Sequence, residues 1–154
     1  MRKLRAYFRL LKGKMLRDRM SPNRVAAGWA IGMFIGCSVP FGFQLVVSVP
    51  AAVLTKTSKI GATLGTFVTN PVTIFFIYPA QTWAMYNILF GNREMGELPT
   101  EWTRESVMAL SGPVIISFFL GGLALALILS PVTYFTVKRI VIRYRKSWQR
   151  KNSI

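Results

Sequence analysis

The chain has 154 residues, 20 of them Lys or Arg against 5 Asp or Glu and no His, for a formal net charge of +15. It is also 52% hydrophobic, with a mean hydropathy of +0.39. Residues 25–55, 60–92 and 106–137 carry no charge at all. Uncharged apolar runs of about 18 residues or more read as membrane-embedded, which excludes the disordered, disulfide-rich, collagen-like and ordinary globular classes.

Residues 1–24 hold nine basic side chains, with Leu4, Tyr7, Phe8, Leu11 and Met15 at helical spacing between them. This pattern predicts a basic interfacial helix. The apolar run that follows is far longer than the core of a signal peptide, so cleavage is not expected. Within that run, Val39-Pro40-Phe41-Gly42 breaks the helix, because Pro removes a donor and Gly permits a tight turn. The flanking arms, 25–38 and 43–54, would be roughly 21 and 18 Å long, too short for a hydrocarbon core of about 30 Å. Residues 25–54 are therefore read as a re-entrant hairpin. Over 60–90, Asn70-Pro71 divides a transmembrane helix into a short and a longer piece, and Pro79 is placed to kink the longer one. Residues 91–105 form an external loop with Arg93 and Arg104 against Glu94, Glu97, Glu101 and Glu105. Residues 106–137 read as a plain spanning helix bracketed by Pro113 and Pro131, and 138–154 as a basic cytoplasmic tail, amphipathic over 140–148.

Charge sets the expected topology. Nine basic residues precede the first run and seven follow the last, so both termini are placed in the cytoplasm and the number of crossings is even. Two spans plus a turn need about 40 residues, so no run crosses twice and one must return by the face it entered. With the first run re-entrant, 18 of the 20 basic residues lie inside. Making the second run re-entrant instead moves only Lys56 and Lys59 outward, and the charge count admits that too. The fold expected is an all-α membrane protein: one re-entrant hairpin, two transmembrane helices, one of them broken at Asn-Pro, and basic amphipathic helices at both ends.

The chemical inventory is sparse. No Asp, Glu, His, Lys or Arg falls inside the three runs, which removes proton relays and the usual metal ligands there. Phosphate loops, nucleophile elbows and dinucleotide fingerprints are missing from the sequence. No enzyme, cofactor or metal is expected. The single Cys37 cannot form an intrachain disulfide and reads as a small packing residue. The basic flanks are read as a grip on anionic lipid headgroups, not as a nucleic-acid surface. Gly28, Gly32 and Gly36 fall on one helix face, and Gly61 and Gly65 repeat the device. Such stripes let helices approach closely, within the chain or between copies of it. Beside the breaks at Pro40, Gly42 and Pro71 stand Gln44, Thr69, Asn70 and Thr73, the candidate solute-binding set. They suit either of two tasks, contacting a solute at broken helix ends or capping the backbone that the breaks expose.

Ser21-Pro22 followed by Ala26, Gly28, Ala30, Gly32, Phe34, Gly36, Pro40 and Gln44 resembles a bacterial membrane family, domain of unknown function 2062. So does Gly65-Thr66 leading into Thr69-Asn70-Pro71-Val72-Thr73, with Tyr78-Pro79 after it. The resemblance covers about residues 21–91. It implies an integral protein of the bacterial inner membrane, in a family some of whose members occur beside glycan-building enzymes, and it supplies no established site. The function expected is an oligomeric transport or translocation component for an anionic or lipid-linked solute. The alternative is a non-catalytic structural or assembly partner in a larger membrane complex, in envelope glycan or lipid synthesis.

Overall fold

The computed structural model describes residues 20–69, 71–91 and 112–152, excepting the side chains of 71 and 148–152. Within these residues the chain is all-helical and contains no strand. The helices are α1 (Pro22–Ser38), α2 (Gln44–Leu54), α3 (Lys59–Thr66), α4 (Pro71–Phe90) and α5 (Gly112–Asn152). The predicted helix over 1–24 lies outside the described residues except at its end, where Arg24 already belongs to α1. That helix starts three residues before the expected arm because Ser21 caps it, accepting from the Arg24 amide at 3.4 Å, and Pro22 occupies its first turn.

The chain turns at Pro40 and descends through α2, as a helical hairpin. The next turn returns it to its starting level: the Ser58 N–H donates to the Arg24 carbonyl at 3.2 Å. From there α3 climbs alongside α1 in unusually close contact. A methyl group added at Gly28 would run into the Ser58 carbonyl, one at Gly32 into the Ala62 carbonyl, and one at Gly65 into the Trp29 carbonyl. Gly61 is similarly close to the Val25 carbonyl, and Gly36 to the Thr69 hydroxyl. The glycine stripe is thus filled by the same chain, as small residues allow by letting two helix backbones approach closely.

On its other side α1 packs antiparallel to α5. Val25 and Ala26 meet Val137 and Val141 near one end, while Met33 and Cys37 meet Ala126 further along. The α4 helix crosses α5 beyond that point, with the Tyr78 ring edge-on to Phe118 at 5.0 Å and Gly121 beneath the Gln81 carbonyl.

The last helix corrects two expected boundaries. From Gly112 onward the span predicted over 106–137 and the separate tail helix over 140–148 are one 41-residue helix, with Pro131 inside it, while residues 106–111 lie outside the described residues. Ending the helix at Pro131 would expose several backbone groups, whereas continuing through it forfeits one hydrogen bond, and apolar surroundings favour the smaller loss. Over Gly112–Ser147 this helix is long and apolar enough to cross a membrane, and it alone meets that test among the described residues. The twenty residues of α4 carry Pro79, Gln81 and Asn87 and do not.

The bundle has a small apolar core that also takes in uncharged polar groups, and it leaves many large apolar side chains exposed. Gln44, Ser48, Thr66, Thr69, Gln81, Thr82 and Ser117 are buried, whereas Leu54, Ile88, Phe76, Val72 and Val46 are 70–83% exposed. Charge is segregated along the bundle. No acidic residue occurs among the described residues, and their basic ones cluster at the end where α1 begins. There the Arg145 guanidinium donates to the Met20 carbonyl at 2.8 Å.

Candidate functional site

The break at Pro40 creates a chemical problem that the surrounding side chains solve. An α-helical carbonyl accepts from the amide four residues on. Val39 still donates to Ile35 at 2.9 Å, but Pro40 has no N–H to give Gly36. Beyond it the chain leaves the helix through Phe41-Gly42-Phe43, with Gly42 at φ +100, a conformation that favours glycine. Carbonyls near the end of α1 are therefore stranded in an apolar interior, where each unsatisfied one is costly.

Gln44, in the first turn of α2, reaches back to them. Its Nε2 donates to the Gly36 carbonyl at 2.9 Å and to the Val39 carbonyl at 3.1 Å, and lies 2.8 Å from the Tyr78 hydroxyl. Tyr78 in turn donates to the Val39 carbonyl at 3.0 Å, with Gly36 at 3.4 Å as a weaker alternative. The Cys37 carbonyl is met by Gln81 Nε2 at 3.3 Å, one turn along α4 from Tyr78. Thr69 closes the group from below α4, its hydroxyl 3.3 Å from Gln44 Oε1 and 2.9 Å from the Thr66 carbonyl. Amide and hydroxyl groups from three segments thus converge on one frayed helix end. Gly122 packs against the same end so closely that a methyl there would strike the Cys37 carbonyl.

Of the four residues proposed from sequence for solute binding, the structure brings Gln44 and Thr69 together. Thr73 sits elsewhere, donating to the Val68 carbonyl at 2.7 Å and so bridging the second break. Asn70 lies outside the described residues. Tyr78 and Gln81 were not in the sequence-derived set. Gln81 is legible as an isolated amide in an uncharged run, and it stands three residues after Tyr78 on the same helix face. That both reach α1, more than 30 residues away in sequence, has no local signature.

The cluster holds no group that exchanges protons near neutral pH. Among the described residues no three His, Cys, Asp or Glu side chains stand close enough to hold a metal ion. Its polar atoms are mostly paired with one another or with backbone. Gln81 Oε1 differs, being buried without a donor.

A family model described as "Uncharacterized protein conserved in bacteria (DUF2062)" matches residues 5–150. The chain belongs to this family. The match extends well beyond the stretch 21–91 that carries the sequence resemblance, taking in α5 and most of the basic N-terminal segment. Family membership thus applies to the whole bundle and not to its hairpin alone. No curated protein and no solved structure matches the chain.

Proposed function

We propose that this family member is a multi-pass protein of the bacterial inner membrane, with both termini cytoplasmic, acting as a non-catalytic structural or assembly partner in a larger membrane complex. The observation that carries this reading is the number of large apolar side chains left exposed along the sides of the bundle, with the described charges gathered at one end. In this reading α5 is one crossing, α4 supplies the second, and the α1–α2 hairpin is re-entrant. The knot around Gln44 has a structural task, because its amide already serves the stranded carbonyls. The partner contacts the exposed apolar faces, since the glycine stripe is occupied by α3.

Purification from native membranes in mild detergent tests the proposal. A stoichiometric partner that survives Gln44→Ala, and a chain that alkaline carbonate does not strip from the membrane, are the expected results. A chain that purifies alone and moves solute across proteoliposomes would overturn it.

A second reading, a transport or translocation component working as an oligomer on an anionic or lipid-linked solute, is favoured by one observation. Gln81 Oε1 is an unused acceptor at a helix break, the sort of group that discontinuous helices present to substrates. Under this reading Gln81→Leu abolishes solute movement while Cys37 stays shielded from alkylation. Unchanged movement in that variant would remove the reading.

A further inference from the structure

The turn between α2 and α3 carries a backbone feature that packing leaves unexplained. Leu54 ends α2, and the chain closes it with paired bonds, Lys56 N–H to the Val53 carbonyl at 3.1 Å and Thr57 N–H to the Ala52 carbonyl at 2.9 Å. This is the Schellman arrangement, whose central residue takes a left-handed conformation and is usually glycine. Here it is Lys56, at φ +53, the sole described non-glycine residue with positive φ. Its side chain is exposed and makes no hydrogen bond or ion pair among the described residues.

The fold places two further cations beside it. Lys59 opens α3, and Arg24 lies in the first turn of α1, its carbonyl bonded to the Ser58 amide at 3.2 Å. Both side chains are exposed. Two helices begin here, capped by Ser21 and Ser58 with no acidic residue in either first turn, so their positive ends add to the field. The carbonyls ending α2, which would oppose it, are closed off by the Schellman bonds. In sequence Arg24 is more than 30 residues from Lys56, and only the return of the α2–α3 turn to the foot of α1 unites them.

We propose that Arg24, Lys56 and Lys59 form a binding site for the phosphate headgroup of an anionic phospholipid. This inference rests on the membrane embedding proposed above. Charge complementarity identifies the occupant: a cluster of cations with no described acid near it, at the foot of a bundle whose sides are apolar, faces headgroups where the apolar surface ends. The site adds selectivity to the general attraction of the basic tails, because the backbone brings three exposed cations to one turn. It also gives Lys56 a reason to occupy a position where glycine would be less strained.

The test is competition between phosphatidylglycerol and phosphatidylcholine for the delipidated full-length chain, read by native mass spectrometry. The wild-type chain is expected to retain phosphatidylglycerol preferentially. Lys56→Gly should lower that preference by about fivefold, the loss expected for one interfacial cation, with Arg24→Gln and Lys59→Gln each doing likewise. Because glycine suits the left-handed turn, Lys56→Gly should unfold no more readily than wild type, which separates lost binding from lost fold. Lys56→Arg should keep the preference. Equal retention of both lipids by wild type, or an undiminished preference in Lys56→Gly, would overturn the site while leaving the embedding intact. A chain that carbonate strips from the membrane would overturn both.

Discussion

The pairing of Gln44 with Tyr78 makes a quantitative prediction about redundancy. Three protons, two on the Gln44 amide and one on the Tyr78 hydroxyl, are shared among the Gly36 and Val39 carbonyls and the Tyr78 oxygen, to which the amide also donates. In Tyr78→Phe both amide protons still reach both carbonyls, and the ring keeps its edge contact with Phe118. That variant should cost only about 0.5 kcal/mol, the low end for one hydrogen bond. In Gln44→Leu the phenol's single proton faces two acceptors and one carbonyl is orphaned. Soluble-protein data put such a loss at about 1–3 kcal/mol, and hydrogen bonds inside membrane proteins average nearer 0.6 with a maximum of about 1.7, so about 1.5 kcal/mol is expected. The double variant orphans both carbonyls. Its cost should exceed the sum of the singles by about 1 kcal/mol, the signature of two groups covering for each other. Cys37 supplies the assay, being the chain's one cysteine and 0% exposed. Its alkylation during a temperature ramp reports opening of the α1–α5 contact. At about 2–4 °C per kcal/mol for a chain this size, Gln44→Leu should lower the midpoint by about 3–6 °C. Additive effects, or a larger loss from Tyr78→Phe than from Gln44→Leu, would refute the reasoning.

Gly32→Ala should destabilise the bundle by about 2–3 kcal/mol, since the new methyl meets the Ala62 carbonyl and Gly65 Cα, backbone atoms that no rotamer change can clear. Gly112→Ala, whose methyl would meet none of the described residues within 4 Å, should be neutral or stabilise by up to about 1 kcal/mol, and the same Cys37 assay reads both. Single cysteines in a Cys37→Ser background at the exposed Lys56 and Lys146 should label from the same side of the membrane. Opposite-side labelling would discard the placement of α1 and α5 feet together in the cytoplasm.

Helix breaks were the most legible part of the fold. Pro40 with Gly42, and the Asn70-Pro71 pair, divide the chain where α1 gives way to α2 and α3 to α4. The glycine spacing pointed to close helix contact but was silent on whether the partner was another copy. The structure assigns that role to α3, because the turn at Thr55–Ser58 brings it back along α1. The last span and the tail helix are continuous for a physical reason. Pro131 looks like a terminator in water, but the cost of exposing backbone in apolar surroundings carries the helix through it. The polar knot was half legible: Gln44 and Thr69 flank breaks, whereas Tyr78 and Gln81 owe their place to a crossing of α4 over α5 that no short-range pattern encodes. Lys56 was counted as a charge, and its left-handed backbone had no sequence signal, since glycine is the residue that marks such turns.

Under the membrane placement proposed above, the distances along the chain within the knot bear on how the protein inserts. Gln44 lies eight residues from Gly36 and five from Val39, while Tyr78 lies 42 and 39 away. A ribosome adding about 5–20 residues per second completes the hairpin seconds before Tyr78 is made. During that interval the stranded carbonyls have Gln44 for a partner, supplied by the hairpin itself. The nascent hairpin can therefore leave the aqueous environment with the Gly36 and Val39 carbonyls already satisfied, while that of Cys37 waits for Gln81. When α4 arrives it finds a preformed platform, and Tyr78 fastens a structure that did not depend on it to begin.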